Sequence, residues 1–252
     1  MNARVARLRE QSLATVPSIS AERALLVTEA QERFGALSPP MRRAMTFAHL
    51  MERKTIVIGD GELIVGERGP GPKATPTFPE LCCHTLRDLD VLHSREKIAY
   101  RVCPDVQAAY RDRIIPFWEG RSMRDALFAQ MTPEWRAAYD AGVFTEFMEQ
   151  RAPGHTVLDG RIYRRGMRQV VEEIDRALAA LDYVRDPRAY DRQEELRAMR
   201  ACAAAIVTFA ARHAEAALAL AAVEPDAGRR HEDHCDWRYF SIRKPEIVPG
   251  AL

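Results

Sequence analysis

The sequence has no excess of charge of either sign, and it has too little glycine and proline for a low-complexity chain. It carries 37 Lys and Arg against 36 Asp and Glu, which gives a net charge of +1. So weak a field does not attract nucleic acid or an anionic membrane surface, and neither is expected as a partner. With 13 Gly and 15 Pro in 252 residues, the composition is not that of a low-complexity chain. A globular protein with a substantial core is expected instead.

Cysteines are few, and their arrangement is irregular. The sequence has five, an odd number without metal-binding or disulfide spacing. The amino terminus lacks the positively charged start and apolar run that a secretory leader would show. Both absences predict a reducing, cytoplasmic location without disulfides.

One long run, residues 201–223, is dominated by apolar side chains. Arg212, His213 and Glu215 interrupt it near its centre. Because a charged side chain costs about 2.5–3.5 kcal/mol at the centre of a membrane helix, a long buried helix is favoured over a membrane span.

Apolar spacing and capping residues predict a mainly α-helical chain with a few short strands. The expected helices cover residues 2–13, 21–34 after Ser20 as N-cap, 41–52, 85–92, part of 104–118, 122–130, 133–141, 159–181 and 187–223. Residues 55–58 and 63–65 are β-branched runs around Gly-Asp-Gly, and they predict a small hairpin or paired extended segments. The Gly- and Pro-rich residues 66–79 predict an irregular loop. The two prolines at 39–40 predict a break before the third helix.

Residues 144–156, FTEFMEQRAPGHT, have the features of a pocket wall. Phe147 and Met148 supply apolar surface, and the following Glu-Gln-Arg supplies hydrogen-bonding groups. The Pro-Gly pair ends the helix, so that His155 is presented from a turn. Functional side chains commonly sit on such segments.

Seven runs of the sequence form one series. They are RVARLREQSL (4–13), ISAERALLVTEA (19–30), DGELIVGE (60–67), PTFPELCCHT (76–85), IIPFWEGRSMRD (114–125), MTPEWRAAYDAG (131–142) and FTEFMEQRAPGHT (144–156). Together they resemble the pyruvate formate-lyase-like glycyl radical enzymes, and within these the trans-4-hydroxy-L-proline dehydratases. All seven match the N-terminal part of a much longer chain. The resemblance therefore implies a fragment, with residues 1–229 as part of the family's domain and residues 230–252 as a divergent tail, out of frame or disordered.

The family's architecture is a ten-stranded α/β barrel of two half-barrels surrounded by helices. The resemblance implies that this chain forms part of the N-terminal helical region without most of the barrel sheet. Its long apolar helices are then expected to expose surface that would normally be covered. Poor solubility or self-association follows as a prediction.

The family's chemistry needs two loops. A glycine in an RVxG loop is converted to a radical by a separate iron–sulfur activating enzyme that uses S-adenosylmethionine, and the radical passes to a cysteine inside the barrel. Neither loop is found in this sequence, so the chain is expected to hold no catalytic residue, bound cofactor or metal. The implied partners of the complete protein are the activating enzyme and a small-molecule substrate, and a homodimer is compatible with the resemblance.

The resemblance assigns substrate binding to Phe147 and His155. Phe147 would cover an apolar face of the pyrrolidine ring. His155 would hydrogen-bond the substrate or assist departure of its hydroxyl group. From the residues alone, ordinary core for Phe147 and a turn histidine bonded to backbone for His155 stay open.

Two other groups invite a functional assignment. Cys82 and Cys83 are adjacent, as in pyruvate formate-lyase itself, but their N-terminal context predicts structural, buried cysteines. His84 beside them lacks metal-ligand spacing. Suitable ligand types also occur in the tail, at His231, Asp233, His234 and Cys235. Four ligands within five residues cannot easily surround one ion, so no metal site is expected there.

Two classes of function follow. The first is the N-terminal fragment of a glycyl radical lyase that dehydrates trans-4-hydroxy-L-proline by radical elimination of water and is inactive alone. A fragment of a formate C-acetyltransferase or of another glycyl radical lyase is the alternative within this class. The second is a non-catalytic helical protein that uses this surface for binding. Whether the chain is itself an enzyme is left open by the sequence.

Overall fold

The computed structural model describes residues 2–143, 159–161 and 164–231. Within them the chain is mainly helical, as predicted, and it has one two-stranded sheet. The elements in order are α1 (Ala3–Ala14), β1 (Ser18–Ser20), α2 (Glu22–Phe34), α3 (Pro39–Arg53), β2 (Ala74–Pro76), α4 (Leu86–Ser94), α5 (Pro104–Ala109), a π-turn (Tyr110–Ile114), α6 (Ile115–Trp118), α7 (Met123–Phe128), α8 (Pro133–Asp140), a 3-10 turn (Asp159–Arg161), α9 (Met167–Ala179) and α10 (Ala189–Val223).

The chain divides into two compact units. Unit 1 consists of Met1–Glu10, Arg33–Glu67 and Leu158–Leu252, and unit 2 of Gln11–Glu32 and Arg68–Val157. Unit 1 contains α3, α9 and α10, and unit 2 contains the sheet and α4 to α8. The boundary expected at residue 229 stays a prediction, because residues 232–252 lie outside the described part of the chain.

In unit 1, α10 packs against α3 and α9. Among the described residues it is also the one helix long and apolar enough to span a membrane, by length and composition. Its buried side chains are small apart from one histidine: Ala189, Ala198, Ala203, Ala205, His213, Ala214, Ala217 and Ala221. Its exposed large apolar side chains are Tyr190, Met199, Ile206, Leu220 and Val223. The expected buried helix is therefore buried only in part.

Arg212 and His213, which interrupt the apolar run, bind backbone groups within unit 1. The Arg212 guanidinium donates to the carbonyl oxygens of Met51 (2.7 Å) and Lys54 (2.8 Å) at the C-terminal end of α3. The last carbonyl groups of a helix have no partner within the helix, and a cation there also favours the helix dipole. His213 is buried, and its Nδ1 lies 3.0 Å from the carbonyl oxygen of Phe209. Arg212 therefore attaches α10 to the end of α3, and His213 bonds to the backbone of α10 itself.

In unit 2, β1 and β2 pair in parallel, with Ser18 opposite Ala74 and Ser20 opposite Pro76. Such pairing needs a long connection between the strands. On the other side of β1, the N–H of Ile19 donates to the carbonyl oxygen of Arg101 over 3.0 Å. The sheet thus joins three distant stretches of unit 2.

The hairpin expected from residues 55–58 and 63–65 is wrong, because neither run is a strand. Glu62 accepts a hydrogen bond from the N–H of Gly59 through its carboxylate (3.0 Å). Arg229 donates to the carbonyl oxygens of Gly59 and Glu62, each over 3.2 Å. Side-chain bonds therefore hold the turn between the two runs, while the runs themselves form no strands.

Three further boundaries differ from expectation. Residues 66–79 include β2, and a Cβ on Gly69 would lie 2.0 Å from the carbonyl oxygen of Ala74, so this approach requires glycine. Residues 39–40 open α3 rather than precede it, since proline is accepted in the first helical turn. The helix expected from residue 159 begins at Met167, after Gly166 at its N-cap.

Candidate functional site

Phe147 and His155 lie outside the described residues. The described chain stops at Val143 and resumes at Asp159, so their substrate-binding role stays a prediction. The structure does describe the framework that precedes this segment in the sequence, namely α7 and α8.

The end of α8 is a Schellman motif. Gly142 has a φ of +72°. Its N–H donates to the carbonyl oxygen of Tyr139 (2.9 Å), and the N–H of Val143 donates to that of Ala138 (3.0 Å). This pair of bonds satisfies the last carbonyl groups of the helix. Because a left-handed backbone disfavours any side chain, glycine is the residue that allows the helix to end here.

An aromatic pair joins α7 to α8. The ring centres of Phe128 and Tyr139 are 4.9 Å apart at an interplanar angle of 69°. The Arg124 guanidinium lies 4.2 Å from the centre of the Phe128 ring and donates to Tyr139 Oη over 3.2 Å. Edge-to-face and cation–π contacts of this kind contribute about 0.5–1.5 kcal/mol each. Contacts between side chains therefore hold these two short helices together.

The start of α7 is hydrogen-bonded to the PTFPELCCHT motif. The N–H of Met123 donates to the carbonyl oxygen of Glu80 (2.9 Å), and the N–H of Arg124 to that of Leu81 (3.0 Å). The Glu80 carboxylate accepts two bonds from Arg23 of α2, over 3.1 and 2.5 Å. A two-pronged, part-buried pair of this kind fixes geometry better than a single contact. The motif therefore links α2 to the α7–α8 pair.

Neither Cys82 nor Cys83 forms a disulfide, and both side chains are half-buried. Burial raises the pKa of the Cys83 thiol to about 12, and Cys82, Asp125 and Asp88 add to the rise. Because the thiolate rather than the thiol is the nucleophile and the metal ligand, Cys83 is poorly suited to either role. The structural role expected for the pair stays a prediction, and the expected burial is wrong, because each side chain is only half-buried.

Residues 2–143, 159–161 and 164–231 contain no group of three or more His, Cys, Asp or Glu side chains that could hold a metal ion. Asp233, His234 and Cys235 lie outside these ranges. The expectation about the tail therefore stays a prediction.

Sequence patterns do not mark the buried polar residues of unit 2. Trp118 Nε1 donates to Thr28 Oγ1 (2.9 Å), which itself donates to the carbonyl oxygen of Ala24 (2.8 Å). Tyr110 and Thr77 are also buried, at 0% and 4% exposure. Pro116 could have pointed to Tyr110: it has no N–H for the ordinary helical bond, which favours the wide π-turn that begins at Tyr110.

Comparison with known proteins gives a consistent set of relatives. Residues 1–232 match the family described as pyruvate formate lyase-like. The chain is 45% identical over 255 residues to trans-4-hydroxy-L-proline dehydratase from Clostridioides difficile. This alignment covers 99% of this chain and 32% of that protein. It is 29% identical over 238 residues to isethionate sulfite-lyase from Nitratidesulfovibrio vulgaris, and this alignment covers 88% of this chain and 29% of that protein.

The fold is similar to a solved structure as well. This is the crystal structure of hydroxyproline dehydratase from Clostridioides difficile with trans-4-hydroxy-L-proline bound, matched with a TM-score of 0.89 and 42% identity. The match covers 96% of this chain and 31% of that one. The chain thus spans about a third of the length of the relatives it matches.

Proposed function

Because the chain belongs to the pyruvate formate lyase-like family of glycyl radical enzymes, we propose that it supplies the N-terminal helical part of a lyase that dehydrates trans-4-hydroxy-L-proline. The observation that carries this proposal is the gap in similarity between relatives. Identity is 45% with the dehydratase and 29% with isethionate sulfite-lyase. Other glycyl radical lyases are supported less well by the same measure.

In this proposal Phe147 and His155 contribute to the substrate pocket. Phe147 packs on an apolar face of the pyrrolidine ring. His155 donates a hydrogen bond to the substrate or helps its hydroxyl group to leave, since imidazole exchanges protons near neutral pH. Both residues bind or orient the substrate, and neither carries the radical.

In this proposal, the radical chemistry belongs to a part of the enzyme that lies outside residues 1–252. A glycyl radical, installed by an iron–sulfur S-adenosylmethionine enzyme, would start the reaction through a cysteine of the barrel. The sequence has no RVxG loop to supply that glycine. We therefore propose that the chain is a cytoplasmic protein that is inactive alone and becomes active only when the rest of the enzyme is supplied.

The barrel is likewise part of the proposal. The described residues contain two strands of three residues each, which are too few to close a barrel. Large exposed side chains on α10, among them Met199, Ile206 and Val223, are consistent with helices that lean on a further structure. The helical wall of a ten-stranded α/β barrel is the arrangement we infer.

A chimera tests the proposal. Residues 1–229 of this chain would replace the matching N-terminal third of the Clostridioides difficile dehydratase, and the product would be treated with the activating enzyme of that protein. A glycine-centred electron paramagnetic resonance doublet shows that the chimera has assembled. Consumption of trans-4-hydroxy-L-proline is then expected, and a radical without consumption would contradict the proposed substrate.

The role of Phe147 is tested in the same chimera. Phe147→Ala is expected to lower kcat/KM for hydroxyproline by about 10–100-fold, the range for a lost apolar pocket contact, while the radical signal is retained. Phe144→Ala, three positions earlier in the same run, is the matched control. Equal losses of activity and thermal stability in both variants would make Phe147 a core residue instead.

A non-catalytic helical binding protein is the second candidate, and the exposed apolar side chains of α10 favour it. Its partner would be a full-length relative or a second copy of the chain. Size-exclusion chromatography with light scattering on the chain, alone and mixed with the Clostridioides difficile dehydratase, discriminates the two candidates. A stable complex with the intact dehydratase would support the binding role, because that enzyme already has its own N-terminal third.

A further inference from the structure

The helices α7 and α8 of unit 2 are short and poorly covered. They have six and eight residues, and isolated helices of this length are marginal in water. Neither of these fully described helices contains a buried residue. Core packing therefore does not set their relative position, and contacts between their side chains have to do so.

Arg124 bonds to groups on both sides of α7. Its backbone N–H donates to the carbonyl oxygen of Leu81 in the PTFPELCCHT motif over 3.0 Å. Its guanidinium donates to Tyr139 Oη of α8 over 3.2 Å. The carbonyl oxygen of Tyr139 in turn accepts the N–H of Gly142 over 2.9 Å, in the motif that ends the helix. A line of hydrogen bonds thus connects Leu81 to the end of α8 by way of Arg124 and Tyr139.

The ring of Phe128 adds a second contact between the two helices. The guanidinium carbon of Arg124 lies 4.2 Å from its centre, and that of Arg136, on α8, lies 4.6 Å from it. The Tyr139 ring packs edge-on at 4.9 Å. A planar guanidinium can stack on a ring and donate to a neighbouring hydroxyl group at the same time, whereas a lysine ammonium is a compact point charge. A lysine in place of Arg124 would keep the charge and lose one of the two contacts.

We propose that Arg124 is a positioning residue for the segment 144–156, to which the proposed function assigns substrate binding. By holding Tyr139, Arg124 fixes the end of α8, and residue 144 follows directly after Val143 at that end. Phe147, four residues beyond Val143, contacts the pyrrolidine ring in the proposed function. The inference rests on that function, because Arg124 does not touch the substrate and acts through the placement of Phe147.

Arg124→Lys in the activated chimera tests this role. At equal glycyl radical content, kcat/KM for hydroxyproline is expected to fall about 10-fold, less than the roughly 100-fold that a misplacement of about 1 Å can cost. The loss should fall on kcat more than on KM, because a misplaced contact still binds the substrate but orients it less well. Tyr139→Phe, which removes the hydrogen-bond acceptor and keeps the ring, is expected to have the same effect.

The double variant Arg124→Lys with Phe147→Ala shows whether Arg124 acts through Phe147. Its loss is expected to be smaller than the product of the two single losses, since coupled residues are not additive. Arg121→Lys is the control: its guanidinium lies 4.7 Å from the centre of the Phe117 ring, a similar contact that precedes α7, and kcat/KM is expected to stay unchanged. A double loss equal to the product, an unchanged kcat/KM in Arg124→Lys or an equal loss in Arg121→Lys would overturn the positioning role.

Hydrogen exchange in the full 252-residue chain gives a readout that does not depend on activity. Arg124→Lys is expected to speed exchange of the Gly142 and Val143 amides, whose bonds end α8, and Arg121→Lys is expected to leave it unchanged. A wild-type chimera that carries the radical and leaves hydroxyproline untouched would contradict the proposed function, and the exchange rates would then decide the role of Arg124 in fixing α8. Unchanged exchange at both amides in Arg124→Lys would overturn that role.

Discussion

The two units of the chain bury different kinds of side chain. The largest fully buried residues are Val27, Thr28, Pro79, Leu89, Tyr110 and Ile114, and every one of them belongs to unit 2. Unit 1 buries mainly alanines of α3 and α10, while Ile64 and Val184 are 93% and 94% exposed. Unit 2 therefore has a core of its own, whereas unit 1 is held largely by close helix packing and side-chain bonds to backbone.

The difference bears on the proposed function. Small residues allow helices to approach closely but remove little apolar surface from water, since the gain is about 25 cal/mol for each Å² buried. Under the proposed function, we expect unit 1, whose core consists mainly of small side chains, to gain stability when the rest of the longer enzyme is supplied.

The largest effect is expected from the core of unit 2. Trp118→Ala removes a side chain that is 5% exposed and bonded to Thr28, and it should lower the free energy of unfolding by about 3–5 kcal/mol. Urea denaturation followed by circular dichroism measures the loss. Trp135→Ala, at 48% exposure in the same unit, is the control and should cost less than about 1 kcal/mol. Similar losses for both would remove the distinction between core and surface in unit 2.

A smaller effect is expected from the polar attachment in unit 1. Arg212→Met keeps an apolar stem but removes the donors to Met51 and Lys54, at a cost of about 1.5–3 kcal/mol for bonds from a charged group. Hydrogen-exchange mass spectrometry should show faster exchange in α3 and α10. Arg197→Met is the control, because Arg197 is more than half exposed and pairs with Glu194 over 3.6 Å. An unchanged exchange pattern for Arg212→Met would show that alanine packing alone holds these helices.

The end of α8 should respond more weakly. Gly142→Ala places a side chain at a φ of +72° without any neighbour within 4 Å, so its cost is conformational only, about 1–2 kcal/mol. Thermal unfolding measures this cost. Gly71→Ala is the control: no atom lies within 4 Å of its added Cβ, and its φ is outside the left-handed range. A loss of equal size at Gly71 would mean that backbone handedness is not the cause.

The smallest effect is a pH dependence of unit 1. Burial lowers the pKa of His213, and Lys54 and Arg212 lower it further, against the opposing bond to Phe209. The unfolded chain therefore binds the proton more readily, and stability falls as the pH drops below about 6.5, the value of an exposed imidazole. Unfolding free energies at pH 7.5 and 5.5 should show the loss in the wild type and a smaller one in His213→Gln. An identical loss in both would place the titrating group elsewhere.

Local signals in the sequence predicted the helices well. Thr85 and Ser122 are N-caps with reciprocal bonds to the acidic residue three positions on, and Pro133 begins α8 after Thr132. Such caps act within one turn, so sequence spacing is enough to find them. The apolar character of α10 was also predictable from the sequence, but the sequence did not show that the helix is buried only in part.

Contacts between distant residues were not predictable from the sequence. The parallel pairing of β1 with β2 joins residues 56 positions apart, as Ser18 with Ala74 shows. Arg229 donates to the carbonyl oxygen of Gly59, in the turn of the hairpin that was expected. The sequence predicted neither β1 nor β2 as a strand, with Ser20 expected as an N-cap and residues 66–79 as an irregular loop, because bonds between distant residues decide these segments. For Phe147 and His155 the sequence resemblance carries the assignment.

The most direct test of the central claim is the substrate selectivity of the chimera that carries residues 1–229 of this chain. After activation, consumption of trans-4-hydroxy-L-proline and of isethionate would be measured side by side at equal glycyl radical content. We expect turnover of hydroxyproline and none of isethionate. A chimera that carries the radical and leaves hydroxyproline untouched would contradict the proposed substrate.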